Sequence, residues 1–491
     1  MSAVVLGVDQ GTSSTRCLVF DEALNELASA TAEVGVSHPA AGLVEQDPER
    51  LLGSVSEAMR GALAAAGVGA DAVTAVGIAN QTETFVICDR ATGAAIHPAI
   101  VWQDRRTADR CEALAAAGHE ALIAGRTGLE LDATFPATKI GWVLDRVPGA
   151  RARAERGELA YHDVAGWLVR RLCGGELCDA SNAGRTLLCA LGGDRWDAQL
   201  LELFGVPAAM LPPIVDCDRV ADAAGAGGPP ITASLGDQQA SLFGLGCLAP
   251  GTAKVTIGTG AFVLVQAGAT APDPPAGVLA SCAWRRSGDT SFALEGFIPA
   301  AGAALDWFRA IGVLPAAREL DALLAEAGPE DDRIACVPAL QGLGTPSWDP
   351  ATSGTVLGLT RATTRARLAR AIVDGVVHQI ADALEAIAGA VALDEVLLDG
   401  GVSRSDWVLQ RLADLSGITM RRAAHAEATV RGAAALAGLA AGVWADVAEL
   451  PPVAVDRVAE PAIGADERAL RRGAWQRAVA VASRWTPDDR V

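Results

Sequence analysis

Lysine is nearly absent from this chain of 491 residues: Lys139 and Lys254 are the only two, and arginine carries the rest of the positive charge. Acidic residues outnumber basic ones, 59 against 40, so the formal net charge is −19. A protein of this sign repels phosphate backbones and anionic lipid headgroups, which argues against a nucleic-acid partner or a charged membrane surface. An anionic ligand would have to be held locally, by backbone N–H groups and a few arginines. We attribute the scarcity of lysine to genome composition.

Long apolar runs and paired cysteine motifs are also missing. No uninterrupted apolar run reaches the ~18 residues that a membrane-spanning helix needs. The N-terminal segment has neither the basic stretch nor the long apolar stretch of a secretory signal. The ten cysteines include no Cys-x-x-Cys pair, so we expect reduced, mostly buried thiols. These absences favour a cytoplasmic protein with no membrane partner.

The N-terminal segment is typical of a hairpin that holds phosphate. Two apolar strands, 4–8 and 17–20, flank a polar turn in which Gly11 lets the backbone bend. The hydroxyls and consecutive N–H groups of that turn suit phosphate oxygens. Asp9, at the end of the first strand, carries the kind of carboxylate that binds Mg²⁺ directly or through water. Taken alone, the segment is equally consistent with an ordinary hairpin whose turn is polar.

A second hairpin of the same plan favours the phosphate interpretation. Residues 253–265 again read as strand, Gly-Thr-Gly turn and strand, and residues 397–403 add an apolar run that ends in Gly-Gly. Glycines there would let the backbone approach a flat ligand closely. We therefore predict duplicated α/β domains, 1–246 and 247–491, that face one nucleotide.

Between these motifs the chain alternates predicted strands with helices, as α/β proteins do. Helices are predicted from Asp47 to about Gly67 and from Thr364 to Ala390, and residues 222–230 read as a loop. Polar groups follow several strands, as ligand-binding loops do, although solvated loops explain any one of them equally well.

Many separated segments together resemble the FGGY family of carbohydrate kinases, most of all its glycerol kinases, and the match runs nearly end to end. The segments that carry this resemblance are 9–14, 80–83, 100–107, 236–240, 258–260, 293–296, 354–359, 399–401 and 432–439.

The resemblance implies two actin-like (ribonuclease H-like) domains, with ATP and Mg²⁺ in the cleft between them and a small polyol or sugar deeper on the first domain. Asp237 matches the family's catalytic base, and Asp9 would serve the metal. The positions that match nucleotide contacts are Thr12, Ser13, Ser14, Arg16, Thr259, Gly302 and Gly401. The positions that match the substrate pocket are Thr82, Glu83, Trp102, Thr134, Asp237, Gln238 and Phe262.

Four positions depart from the glycerol kinase pattern. Thr82 replaces an arginine and Thr134 a tyrosine, and both larger residues normally contact glycerol. On the purine side, Asp306 stands where glutamine is usual and Ser405 where asparagine is usual. These departures put the exact alcohol and the adenine contacts in doubt.

The sequence thus predicts an ATP-dependent kinase acting on glycerol or a closely related small polyol. A kinase for a longer polyol or ketose (C4–C6) remains open, because the two threonines leave space. A nucleotide-binding regulator without kinase activity is the third hypothesis, disfavoured because Asp9 and Asp237 are both present. A homo-oligomer is left open.

Overall fold

A computed structural model describes residues 3–220, 230–328, 333–425 and 427–485. The loop predicted over 222–230 lies outside these ranges except for its last residue.

The strands of the described chain, in order, are β1 Val4–Gln10, β2 Ser14–Phe20, β3 Glu26–Glu33, β4 Glu45–Gln46, β5 Val73–Asn80, β6 Phe85–Asp89, β7 Ala99–Ile100, β8 Leu159–Asp163, β9 Cys178–Asp179, β10 Ile214–Val215, β11 Ile231–Gly236, β12 Thr252–Ile257, β13 Ala261–Gly268, β14 Leu279–Arg286, β15 Asp289–Ile298, β16 Ala335–Val337, β17 Thr355–Leu357, β18 Glu395–Asp399, β19 Thr419–Ala423 and β20 Val455–Ala459.

The helices, in order, are α1 Pro48–Ala66, α2 Ala108–Ala116, α3 Glu120–Thr127, α4 Pro136–Arg146, α5 Ala150–Glu155, α6 Val164–Cys173, α7 Ala180–Ala183, α8 Ala198–Phe204, α9 Asp237–Gly244, α10 Gly302–Ala310, α11 Leu320–Ala325, α12 Arg365–Ala388, α13 Asp406–Ser416, α14 Ala428–Ala440 and α15 Ala465–Ala482.

Two sheets repeat one strand order, as expected for two domains of one fold, while the boundary at residues 246 and 247 stays a prediction. The first runs β11-β5-β1-β2-β3, with β1, β2 and β3 antiparallel and β5 and β11 parallel to β1. The second contains β15-β13-β12-β18-β19, with three antiparallel strands followed by two parallel ones, and adds β14 and β20 at its edges. Both predicted hairpins, β1–β2 and β12–β13, therefore occupy the same place in their sheets, as the expected actin-like fold requires.

The first hairpin is longer than predicted, because its strands extend to Gln10 and begin again at Ser14. Both faces of the strand are covered: Val5 packs with one apolar core, whereas Leu6 and Val8 pack with another on the opposite face. Alternating side chains point to opposite faces of a sheet, so burial on both sides explains the uninterrupted apolar run.

Helix α1 confirms the prediction made from its capping residues. The Asp47 side chain accepts a hydrogen bond of 2.9 Å from the Glu49 N–H, Pro48 occupies the first helical position, and Gly67 ends the helix at φ 66°. An acceptor at the start and a left-handed glycine at the end satisfy backbone groups that the helix leaves unpaired. Helix α12 likewise starts after the Thr364 cap and ends at Ala388, close to the predicted limits.

Helix α14 belongs to the second half of the chain but packs on the first sheet and crosses α9 at backbone distance. A Cβ built at Gly432 would lie 1.8 Å from the carbonyl oxygen of Ala240, and one at Gly244 would lie 1.9 Å from that of Ala428. The sheet glycine Gly77 faces α14 in the same way, with 1.9 Å to the Ala433 oxygen. Only glycine permits such an approach.

The ten cysteines are all free, and all except Cys173 are buried, as the sequence predicted. Among the described residues, no helix is long and apolar enough to cross a membrane.

We expect Gly432→Ala to destabilise the protein by about 1–3 kcal/mol, because its methyl group has no space at the α9–α14 crossing. Gly125→Ala is the matched control, since Gly125 also lies inside a helix and a Cβ there meets nothing within 4 Å. The control should be neutral or gain about 0.5–1 kcal/mol from the better helix former. Denaturant unfolding of both variants measures the difference, and equal midpoints would refute the packing argument.

Candidate functional site

The first phosphate turn, residues 11–13, joins β1 to β2. The Gly11 N–H donates to the Ser14 carbonyl at 3.0 Å and closes the turn. Ser13 is exposed, whereas Thr12 and Ser14 are half-buried. Arg16, two residues into β2, forms an ion pair of 2.9 Å with Glu427 at the start of α14. The turn therefore offers hydroxyls and N–H groups at one edge of the sheet, with a guanidinium beside them.

The second predicted phosphate turn, residues 258–260, has exposed residues, as the first turn does at Ser13. Gly258 and Thr259 are exposed, and a Cβ at Gly258 would meet nothing closer than 4.0 Å. The N–H of Gly302 donates to the Gly258 carbonyl at 2.9 Å, which fixes the start of α10 against the turn. A Cβ at Gly302 would lie 2.2 Å from that carbonyl oxygen, so this glycine is needed for packing as well as for any ligand. Gly401 is exposed and has open space around it.

Two residues predicted for the cleft are Asp237, the first residue of α9 directly after β11, and Asp9 of β1. Burial and the Glu83 carboxylate raise the pKa of Asp237 to about 6, although the Gln238 N–H, Lys254 and Arg185 act in the opposite direction. Burial and the carboxylates of Asp237 and Glu427 raise the pKa of Asp9 to about 8. Two acids are thus held close enough for each other's charge to matter.

This pair of carboxylates fits the expected Mg²⁺. A dication relieves the repulsion that raises the pKa of Asp9, since bound metals dominate the local field. No group of three or more His, Cys, Asp or Glu side chains within the described ranges could hold a metal. That is consistent with Mg²⁺, which commonly binds one or two carboxylates and completes its shell with water and phosphate oxygens.

The loop after β5 places Thr82 and Glu83 in the cleft. Glu83 is buried and has φ 61°, a left-handed conformation that costs energy for a residue with a side chain. Its carboxylate accepts 2.6 Å hydrogen bonds from the Thr82 hydroxyl and from Nε of Arg185. Arg185 also reaches Glu295 on β15 at 2.7 Å, so one guanidinium joins the two halves of the chain.

Trp102 and Thr134 are tied to the same cleft through polar contacts. The Trp102 indole donates to the Thr12 hydroxyl at 2.9 Å, which links the pocket to the phosphate turn. Lys139 donates to the Thr134 carbonyl at 2.7 Å and to the Val101 carbonyl at 3.4 Å. Burial lowers the pKa of Lys139 to about 7 against the pull of nearby carboxylates. This one ammonium therefore fixes two of the predicted substrate segments.

Two further residues predicted for the substrate pocket, Gln238 and Phe262, lie on α9 and β13. Lys254, on β12, donates to the Gln238 side chain at 2.7 Å and to the Thr256 hydroxyl at 2.8 Å. Phe262 packs on Phe297 with ring centroids 4.9 Å apart. Of the substrate positions predicted from sequence, Thr82 is thus hydrogen-bonded to Glu83 and the Gln238 N–H to Asp237, whereas Trp102, Thr134 and Phe262 contact neighbouring residues.

The two purine-side departures have local partners. Ser405 caps α13 by accepting from the Val408 N–H at 3.1 Å, and its hydroxyl donates to Asp321 at 2.5 Å. Asp306 pairs with Arg309 one turn along α10. Capping a helix explains a serine at position 405 without reference to a ligand.

Three cations at the site escaped the sequence analysis as functional residues: Lys139, Lys254 and Arg185. Both lysines are fully buried, at 0% exposure. The scarcity of lysine could have pointed to the two lysines. In an arginine-rich chain, a lysine indicates a position that can satisfy the three N–H donors of an ammonium group but not the five of a guanidinium group.

The comparisons agree with this geometry. Residues 4–244 match the N-terminal domain of the FGGY family of carbohydrate kinases, and residues 253–441 match its C-terminal domain. The chain belongs to this family. It is 44% identical to a glycerol kinase of Aromatoleum aromaticum, covering 98% of this chain and 99% of that one, and 45% identical to one of Rhodospirillum centenum, covering 99% of each. A crystal structure of Plasmodium falciparum glycerol kinase with ADP superposes with a TM-score of 0.90 at 26% identity over 98% of both chains.

We expect Gly258→Val and Gly401→Val each to weaken ADP binding by about tenfold or more, because both side chains would enter open space beside the phosphate turns. Neither change meets protein atoms within a normal packing distance, so thermal stability should hold. Gly464→Val, at another open position, is the control. Calorimetric titration with ADP checks the prediction, and unchanged affinity in both variants would refute it. Gly260→Val is less informative, because its Cβ would lie 2.7 Å from the Ile298 carbonyl.

Proposed function

We propose that this chain is an ATP-dependent kinase that transfers the γ-phosphate to a hydroxyl of glycerol or a closely related small polyol. The single observation that carries this proposal is the position of Asp237. Asp237 lies next to the Thr82–Glu83 loop, and the Glu83 carboxylate raises its pKa. The Asp237 carboxylate in turn raises the pKa of Asp9, which precedes the first predicted phosphate turn. A carboxylate between a phosphate site and a hydroxyl site is where a kinase needs its base. The glycerol kinases named above support the substrate class.

Phosphoryl transfer depends mainly on positioning and on charge stabilisation. In the proposed mechanism, Asp237 accepts the proton of the attacking hydroxyl, which Glu83 orients. Thr12, Ser13, Ser14, Arg16 and Thr259 hold the phosphates, and Gly302 and Gly401 allow the nucleotide to approach the backbone. Mg²⁺, held through Asp9, would neutralise charge on the phosphates. Trp102, Thr134, Gln238 and Phe262 enclose the alcohol and exclude water.

The balance of charge favours an uncharged substrate. On the substrate side, the carboxylates of Asp237, Glu83 and Glu295 balance the cations of Arg185, Lys254 and Lys139, which leaves no excess positive charge. A sugar acid would gain no net attraction there, whereas hydroxyl groups can both donate and accept.

The second candidate is a longer polyol or ketose (C4–C6). Thr82 and Thr134 are short, and the Thr82 hydroxyl is already engaged by Glu83. A cytoplasmic location and a homo-oligomeric state stay predictions from the sequence.

We expect Asp237→Asn to lower kcat by about 10²–10⁴-fold while ADP affinity stays the same, because an amide cannot take the proton. The wild-type kcat/KM should fall about tenfold for each pH unit below about 6, because the Asp237 carboxylate becomes protonated below its raised pKa and can no longer accept a proton. Steady-state kinetics between pH 4.5 and 8 measure both effects, with the exposed Asp145→Asn as control. Near-normal turnover by Asp237→Asn would exclude the assignment of Asp237 as the base, whereas a wild-type protein without any turnover would favour the inactive-regulator hypothesis.

We expect the double variant Thr82→Arg, Thr134→Tyr to raise kcat/KM for glycerol and lower it for C4–C6 polyols. A charge-assisted hydrogen bond is worth about 1.5–3 kcal/mol, or roughly ten- to a hundredfold in kcat/KM, and the larger side chains also remove volume. Assays against a panel of C3–C6 alcohols, coupled to ADP release, measure the change. If the wild type already prefers glycerol and the variant gains nothing, other residues close the pocket.

A further inference from the structure

Arg185 lies among the predicted substrate residues although no sequence motif points to it. It follows the short helix α7, and its guanidinium packs over the Phe135 ring, next to Thr134, at 5.4 Å. Nε and Nη1 donate to Glu83 and Glu295 at 2.6 and 2.7 Å. The third nitrogen, Nη2, makes no hydrogen bond to any residue that the structure describes, and the side chain remains 13% exposed.

The segment that carries Arg185 is fixed before any ligand arrives. Asp179 accepts hydrogen bonds from the N–H groups of Ser181 and Asn182 at 3.0 and 3.1 Å. The Asn182 amide exchanges two hydrogen bonds with Asn80, of 3.1 and 2.9 Å, at the end of β5. This buried network joins the Arg185 segment to the strand that leads into the Thr82–Glu83 loop, so both are held in register.

Thr82 cannot act as a substrate cation, and its side chain is turned elsewhere. The methyl group packs on Gly236, where a built Cβ would lie 2.5 Å away, and the hydroxyl is used by Glu83. The loop itself therefore offers no cation to a substrate.

We propose that Arg185 is a substrate-binding residue that supplies a cation beside Glu83, so that Nη2 donates to the central hydroxyl of an uncharged polyol and the Glu83 carboxylate accepts from the hydroxyl next to it. A donor and an acceptor held side by side match a vicinal diol, in which one oxygen accepts and the neighbouring hydroxyl donates. The inference rests on the proposed kinase function and narrows its substrates to alcohols with neighbouring hydroxyls.

The decisive experiment compares glycerol with 1,3-propanediol, which lacks the central hydroxyl and hence the vicinal pair. We expect Arg185→Gln to raise KM for glycerol about ten- to a hundredfold, with KM for ATP unchanged within about twofold. The kcat/KM for 1,3-propanediol, poor in the wild type, should change little, because its missing hydroxyl has no bond to lose. Arg195→Gln, an exposed arginine ten residues along the chain, is the matched control.

A second pair of variants keeps the test valid if Arg185→Gln folds poorly. Arg185→Lys retains the charge, but its compact ammonium group cannot span Glu83, Glu295 and the substrate as the planar guanidinium group does. This variant should therefore show the same substrate pattern with a smaller change in KM. Thr82→Arg added to Arg185→Gln should recover part of the glycerol affinity. Thermal unfolding of each variant separates a lost contact from a lost fold.

The outcomes distinguish this role from the function on which it rests. An equal loss for glycerol and 1,3-propanediol, or a lower kcat at unchanged KM, would make Arg185 purely structural and overturn the inference alone. A wild-type protein that phosphorylates no polyol would overturn the proposed function and this role with it.

Discussion

The backbone contact between α9 and α14 is the constraint on which the arrangement of the two halves depends. Glycines at 244 and 432 let these helices cross at a distance that any side chain would prevent, and Gly77 gives α14 the same access to the first sheet. Asp237 begins α9, and Glu427, which pairs with Arg16, immediately precedes α14. The relation between Asp237, the proposed base, and the first predicted phosphate turn therefore depends on a contact that tolerates no added methyl group.

Buried cations also join segments that are far apart in the sequence. Three buried or nearly buried cations, Lys139, Lys254 and Arg185, each bind at least two groups that come from different segments of the chain. Both lysines are fully buried, and low solvent exposure makes each such contact stronger and each unpaired group costlier. The site is consequently organised before substrate binds.

Local signals in the sequence were sufficient for the hairpins, for α1 and for the cap of α12, because turn glycines and capping residues act within a few positions. The docking of α14 on α9 and on the first sheet was not visible, since it joins residues about 180 to 420 positions apart. Arg185 was missed for a related reason: its role comes from Glu83 and Glu295, about a hundred residues away in either direction. The serine at position 405 is explained by the structure as a helix cap, and its relation to adenine stays untested.

The scarcity of lysine has a chemical consequence beyond the site. Because Lys139 and Lys254 are the only lysines and neither has exposed surface, the folded protein presents no lysine amine to acylating or cross-linking reagents. Enzymatic acetylation or ubiquitin transfer to a lysine would require the cleft region to open first. Chemical modification of Lys139 or Lys254 would therefore report local unfolding around α4 or β12.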